Sequence, residues 1–341
     1  MNSSPTISSS NRDSSLRSRL DRALAAVAIL SPQHFVFEGE TVPAVPQPGW
    51  GNLPAPANPL VAALEQRLYN RFFCRDSVPP AYVATDPAPF IQRLSQANPG
   101  QDRWDQGWRI NRVGPAGQVM AEKHGRYVDL WPGQYVVQSG GGPPQPGQPI
   151  TAYFPRESAT LQPGFFFVFS DAPVAWDEAF SIVRFYWNVT AEGAPELLAR
   201  LAGRLNRFQV PFRFKTLTDP AGYDRFDSAV LFVSRRWFHP VADIAAEVHA
   251  ALDGWIADGT PLFAKPLARG LGLAEDPGNG ESFGMSRCRL LAEGLWSAWS
   301  RGVADPAARL AEVEAWFAGH GLSLESPWLN RSSADLYELP S

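Results

Sequence analysis

At 341 residues the chain exceeds the usual span of one compact domain, and a 45% apolar content with twelve tryptophans and 21 phenylalanines predicts globular lobes rather than disorder. A net charge of −4 argues against a general nucleic-acid binder. Two distant cysteines, Cys74 and Cys288, argue against a disulfide framework or zinc knuckle and fit a reducing cytosol, and no apolar run approaches the length of a membrane helix.

Residues 1–17 are serine-rich, expected to be disordered and unlike a secretory signal; LRSRLDRALAAVAIL then predicts a helix through Leu30. VPAVPQPGWGNLPAPANP reads as an extended connector. LVAALEQRLYNRFFCR and PFIQRLSQAN carry apolar residues at helical spacing, followed by turns and short strands around WRINRVGPAGQVMAEKHGRYVDL. The breaker-rich stretch QSGGGPPQPGQP, residues 138–149, is the expected lobe boundary. It separates a mainly helical lobe, 18–149, from an α+β lobe, 150–341.

The second lobe opens on PGFFFVFS and SIVRFYWNVT. In the latter, alternation puts Arg184, Tyr186 and Asn188 on one strand face. APELLARLAGRLNRF is an amphipathic helix. PFRFKTLT is a strand with Arg213 and Lys215 on one face and Phe212 and Phe214 on the other. DSAVLFVS reads as a buried strand and VADIAAEVHAALDGWIA as a further helix. The order predicts an α+β protein: a helical amino-terminal lobe packed on a mixed or antiparallel sheet lobe with flanking helices.

The cations are unusual in kind. Only three are lysines, Lys123, Lys215 and Lys265, against 27 arginines. Arginine stays protonated, so a position that needs a base needs lysine, and a lysine sharing a strand face with Arg213 is pushed toward its neutral form. Lys123 adjoins His124 in EKHGRY. Lys265 precedes a glycine-crowded stretch, Phe263 to Trp299, that runs into a helix beginning near Gly284; with Arg269 and Arg287 it reads as an anion site, or equally as an ordered loop before a core helix. GESFG at 280–284 matches the G-x-S-x-G nucleophile pattern, with His320 and Glu312 or Glu314 downstream, but EDPGNG stands where the required strand should be. GLG at 270–272 lacks a third glycine, His249 reads as a core helix residue, and no metal spacing or nucleotide loop is present, so neither metal nor cofactor is expected.

RFYWN, VPFRFKTL, YDRFDSAVLFV, FAKPLARGLGLAEDPGNGESFG and SRCRLLAEGL together resemble the HopA-type family of type III secretion effectors, over residues 60 to 300. That family includes HopA-like lyases of lanthipeptide and thioamide-containing peptide biosynthesis, which eliminate phosphate after a kinase has phosphorylated Ser or Thr. The resemblance implies a phosphorylated peptide or protein as substrate, a cognate peptide kinase as partner, and neither nucleic acid nor membrane. It also implies a cytoplasmic protein, or one exported as an effector. Lys215 is then the base, Arg184, Arg213 and Lys265 hold phosphate or the developing carbanion oxygen, and His124 protonates the leaving group. Arg269, Arg287, Lys123, Tyr186 and Asn188 complete the substrate-binding set. Two exchanges stay open: Lys265 as base with Lys215 on phosphate, and Lys123 in the role of His124. The lysine-x-histidine order of phosphothreonine lyases is absent, since Lys123 and His124 are adjacent. The rival reading is a non-catalytic effector or phosphopeptide-binding protein.

Overall fold

The computed structural model describes residues 9–45, 58–78, 83, 85–138, 142–174 and 181–340, with side chains from residue 16. Two compact units are formed. The first gathers Met1–Ala81, Asp224–Asp227 and Gly259–Leu336; the second gathers Tyr82–Tyr223, Ser228–Asp258 and Tyr337–Ser341. The breaker-rich stretch at 138–149 joins two strands of the second unit. The proline-rich connector lies outside the described residues from 46 to 57, as does the serine-rich tail up to residue 8.

In the first unit, helix α1 (Ser9–Ala25) is followed by an antiparallel sheet, β1 (Val27–Ser31), β2 (His34–Phe37) and β3 (Glu40–Pro43). The helix therefore stops short of Leu30. VAIL pairs with HFVF in the register Val27↔Phe37 and Ile29↔Phe35, and buries Val27, Phe35 and Phe37. This pairing outweighs the helical preference of the alanine-rich run before it. Helix α2 (Pro59–Leu68) starts at Asn58, whose side chain accepts from the Leu60 N–H, with proline in the first turn where its missing donor costs nothing. It runs into a π-helical turn, Tyr69–Phe73, in which the Cys74 N–H reaches back to the Tyr69 carbonyl at 2.9 Å. Arg225 grips both oxygens of Asp227 at 2.7 and 2.8 Å and donates to the Tyr69 hydroxyl, while the Phe226 N–H donates to the Cys74 carbonyl.

The second unit holds helix α3 (Ala88–Ala97) and strands β4 (Arg103–Val113), β5 (Val119–Lys123), β6 (Arg126–Leu130), β7 (Tyr135–Val137) and β8 (Pro149–Phe154), arranged β6-β5-β4-β8-β7, all antiparallel. The short strands expected here thus form a complete sheet. One face closes over Trp108, Ile110, Val119, Ala121, Val128, Leu130, Ile150 and Ala152. A second antiparallel array follows: β9 (Glu157–Gln162), β10 (Phe165–Phe169), β11 (Ile182–Trp187), β12 (Phe212–Leu217) and β13 (Ala229–Ser234), in the order β11-β13-β12-β10-β9. Val183, Phe185, Trp187, Phe212, Phe214, Leu231 and Val233 point to its buried face. There α4 (Ala194–Arg207) contributes Leu197, Leu201 and Leu205, and α5 (Phe238–Ala251) stacks Phe238 on Phe185 with ring centres 5.9 Å apart. Helices segregated against an antiparallel sheet make the protein α+β.

The remaining elements belong to the first unit: hairpin strands β14 (Lys265–Ala268) and β15 (Leu271–Glu275), then helices α6 (Phe283–Ser300) and α7 (Pro306–Gly319). Helix α6 packs against α2 and α7.

Candidate functional site

Register decides what the other face of the second unit's β9–β13 array presents. Phe232 of β13 stands opposite Arg184 of β11 on one side and Arg213 of β12 on the other, and Arg213 stands opposite Phe169 of β10. One step along the same face runs a second row: Tyr186, Val230, Lys215, Phe167. Arg184 and Tyr186 therefore share the face of Arg213 and Lys215, as the alternation of RFYWN and FRFKT requires.

The cations converge on one ring. The guanidinium carbons of Arg213 and Arg184 lie 4.9 and 5.3 Å from the centre of Phe232, and the Lys215 Nζ lies 6.0 Å from it. Lys215 is also 4.0 Å from the centre of Phe165 and 5.9 Å from that of Phe167, and donates to Gln162 Oε1 at 3.3 Å. Ring faces attract a cation through their quadrupole, so these aromatics make a seat for the Lys215 side chain. Guanidinium pairs suit phosphate because each fork takes two oxygens.

Asn188 is not part of that face. It falls just past β11, is 5% exposed, and donates to the Asp258 carbonyl at 2.7 Å, fixing the chain beside the Val189↔Ile256 bridge.

Lys123 and His124 lie on the other sheet of the second unit. His124 and Gly125 both take positive φ, 53° and 77°, as a two-residue type I′ turn between β5 and β6 demands. In β4 the register slips between Asp105 and Trp108, where Gly107 has φ 87°. Such a bulge re-aims the groups beside it. The Gln106 carbonyl accepts from Lys123 Nζ at 2.6 Å, and the Asp105 carboxylate accepts from Lys123 and from Trp108 Nε1. Partial burial pushes the Asp105 carboxyl up, but these two hydrogen bonds outweigh it and hold the group below its ordinary value. Lys123 is therefore committed to protein acceptors. The turn, Arg103, Trp104, Asp105 and Arg126 line a groove of about 600 Å³ together with Asp171, Pro173 and Gln209. Neither Lys215 nor Arg213 lines this groove, so His124 stands in a different place from the Arg213 and Lys215 face.

The remaining predicted cations belong to the first unit. Lys265 is 6% exposed and ion-paired to Asp335 at 2.8 Å. Arg287 is 2% exposed; its Nε donates to the Pro327 carbonyl at 2.8 Å and its Nη2 to the Leu329 carbonyl at 3.1 Å. Both are ties to the carboxy-terminal segment rather than ligand grips, a fact invisible in sequence because the partners lie 40 to 70 residues away. Arg269 occupies the exposed tip of the β14–β15 hairpin. The G-x-S-x-G match also has a structural cause. Ser282 begins α6 several residues past β15, and a side chain on Gly284 would put its Cβ 2.5 Å from the Phe73 ring, so that glycine permits close packing of α6. Among the described residues no group of His, Cys, Asp and Glu is set to hold a metal, and no helix is long and apolar enough to cross a membrane.

A family model described as the HopA1 effector protein family matches residues 156–329. No curated protein matches the chain. Among solved structures, the effector protein from Pseudomonas syringae pv. tomato strain DC3000 is similar at 15% identity and a TM-score of 0.45, over 79% of this chain and 90% of that one. The effector protein from Pseudomonas syringae pv. syringae strain 61 is similar at 15% identity and a TM-score of 0.43, over 78% of this chain and 90% of that one.

Proposed function

This chain belongs to the HopA1 effector protein family, and on that premise we propose that it is a phosphoserine/phosphothreonine lyase acting on a phosphorylated peptide. The observation that carries the reading is the convergence of Arg184, Arg213 and Lys215 on one face around Phe232. The two arginines grip the phosphate, and the amine of Lys215, in its neutral form, takes the proton from Cα of the phosphorylated residue. The electron pair of that C–H bond becomes the second bond between Cα and Cβ, while the Cβ–O bond breaks and its pair leaves with the phosphate. A monoester entering as the monoanion departs as hydrogen phosphate, so the step balances without a separate acid, and His124 is not needed there. The product is dehydroalanine from phosphoserine or dehydrobutyrine from phosphothreonine. Lys265 and Lys123 are ion-paired to Asp335 and Asp105, away from the Arg184 and Arg213 face, and take no part in this scheme. A peptide kinase is the partner that supplies such a substrate, in the cytoplasm of the producing cell or, after export, of a recipient.

A second reading is favoured by one observation. Three phenylalanine rings surround the Lys215 ammonium and stabilise its charged form, which suits a phosphopeptide-binding protein without turnover. Incubation with phosphoserine and phosphothreonine peptides, followed by mass spectrometry, separates the two. The lyase predicts loss of phosphoric acid by the wild type, and phosphopeptide binding without turnover by Lys215→Arg. A wild type that binds phosphopeptide without changing it establishes the second reading. Phosphate loss with water retained in the peptide overturns the lyase in favour of a phosphatase.

A further inference from the structure

We propose that the groove between the β5–β6 turn and the Asp171–Pro173 segment reads the residues flanking the phosphorylated one, and that it selects acidic flanks; this rests on the phosphopeptide reading above. Three observations carry it.

The first is continuity. Phe169 pairs with Arg213, and Asp171, which lines the groove, lies two residues further along the same chain. The strand ends at Phe169, and two residues of chain reach at most about 7 Å, so Asp171 lies within that distance of Phe169. An extended peptide whose phosphate sits on Arg184 and Arg213 therefore brings residues about two to four positions away to the groove.

The second is charge. Lys123 and Asp105 neutralise each other at 2.5 Å, which leaves Arg103 and Arg126 against Asp171 as the groove's own charges. Arg103 lies over the Phe154 ring at 4.9 Å, which holds its guanidinium in place. Arg126 is exposed. The surplus is cationic, complementary to Asp or Glu side chains.

The third is surface chemistry. Trp104 is 54% exposed at the groove wall, braced by Tyr153 with ring centres 5.0 Å apart. A large exposed indole supplies contact area at little entropic cost, and Pro173 lines the same groove. His124 adds to the case: it occupies a left-handed turn position that asparagine or glycine fills more comfortably, and this local cost brings no packing gain, since His124 is exposed.

The test measures fluorescence anisotropy of four labelled peptides on the full chain: phosphothreonine with glutamate flanks, phosphothreonine with lysine flanks, and both without phosphate. Binding of the phosphorylated glutamate-flanked peptide should exceed that of its lysine-flanked counterpart about tenfold at low salt. Arg126→Glu should abolish or invert the ratio. Trp104→Ala should weaken both phosphopeptides several-fold. Arg213→Ala should weaken both while keeping their ratio. Equal binding of the two phosphopeptides by the wild type, or an unchanged ratio in Arg126→Glu, overturns the flank-reading groove and leaves the phosphate site standing. Binding that ignores phosphate and is unaffected by Arg213→Ala overturns the phosphate site instead, and the flank assignment falls with it.

Discussion

The two regions that look most alike in sequence place their cations in different surroundings. Lys265, Arg269 and Arg287 around a glycine-rich stretch, and Arg184, Arg213 and Lys215 on alternating strands, both read as anion grips. In the first unit the ammonium of Lys265 meets Asp335 and the guanidinium of Arg287 meets two backbone carbonyls, each nearly shut off from solvent. In the second unit, by contrast, the cations of β11 and β12 lie against aromatic rings, with Arg213 exposed. Residue type sets what a cation is able to do; the groups packed against it and its exposure decide how it is used. The comparison predicts that the first region responds to mutation in stability and the second in binding.

The largest stability effect is expected at Arg287. Arg287→Ala leaves the Pro327 and Leu329 carbonyls buried without their donor and opens a cavity beside Phe283, over whose ring the guanidinium lies at 4.9 Å. Loss of such a buried, charge-assisted network costs about 4 kcal/mol, a drop of about 10 °C in thermal midpoint. Arg287→Lys should recover only part of this, because one ammonium does not span the fork. A midpoint unchanged in a thermal melt of Arg287→Ala would remove Arg287 from the structural class.

Glu65 gives the next effect, and it depends on pH. The side chain is 5% exposed on α2; burial pushes its carboxyl up to about 7, Arg289 pulls it down, and Glu281 and Glu293 push it up again. The folded state thus holds the proton more tightly than the unfolded chain, whose ordinary value is 4.5. The stabilisation is complete below pH 4.5 and is lost as pH rises through 7. Glu65→Gln mimics the protonated form, so it should flatten stability across that window and raise it by about 2 kcal/mol at pH 8. Urea titrations at pH 5 and pH 8 check this, and a variant that retains the full decline contradicts it.

Much of the second unit's face was legible because a strand's period is two. Arg213 and Lys215, and Arg184 and Tyr186, must pair by parity wherever the strands end up. What parity cannot give is the neighbour. Phe232 sits between Arg184 and Arg213 only because β13 lies between β11 and β12, a non-local choice, and DSAVLFVS read as buried without saying which ring met which cation. Asn188 fails the same rule because the strand ends at Trp187. The groove was half visible: His-Gly between two alternating runs is a type I′ turn signal, and a glycine inside RWDQGW is a bulge signal. Arg103, Trp104 and Arg126 were unread because their convergence with Asp171 and Pro173 is tertiary. The strand at VAIL was hidden by the helical run before it.

Two further effects refine the contrast. Burial raises the Cys74 thiol to about 12 and pushes Cys288 up as well, so a thiol reagent at pH 8 should label neither cysteine in the native protein and both in denaturant. Immediate native labelling of either would show that the first unit opens there. The smallest stability change, and the sharpest test of the comparison, is Arg213→Ala. Its side chain is exposed, so unfolding should shift by no more than about 0.5 kcal/mol. Yet a charge-assisted phosphate contact contributes about 1.5–3 kcal/mol, so phosphopeptide affinity should fall roughly ten- to a hundredfold. Arg287→Ala should do the reverse, lowering the melt while its folded fraction keeps phosphopeptide affinity. If both variants moved both readouts together, the division between structural and ligand-facing cations would fail, and with it the reason for placing the phosphate on β11 and β12.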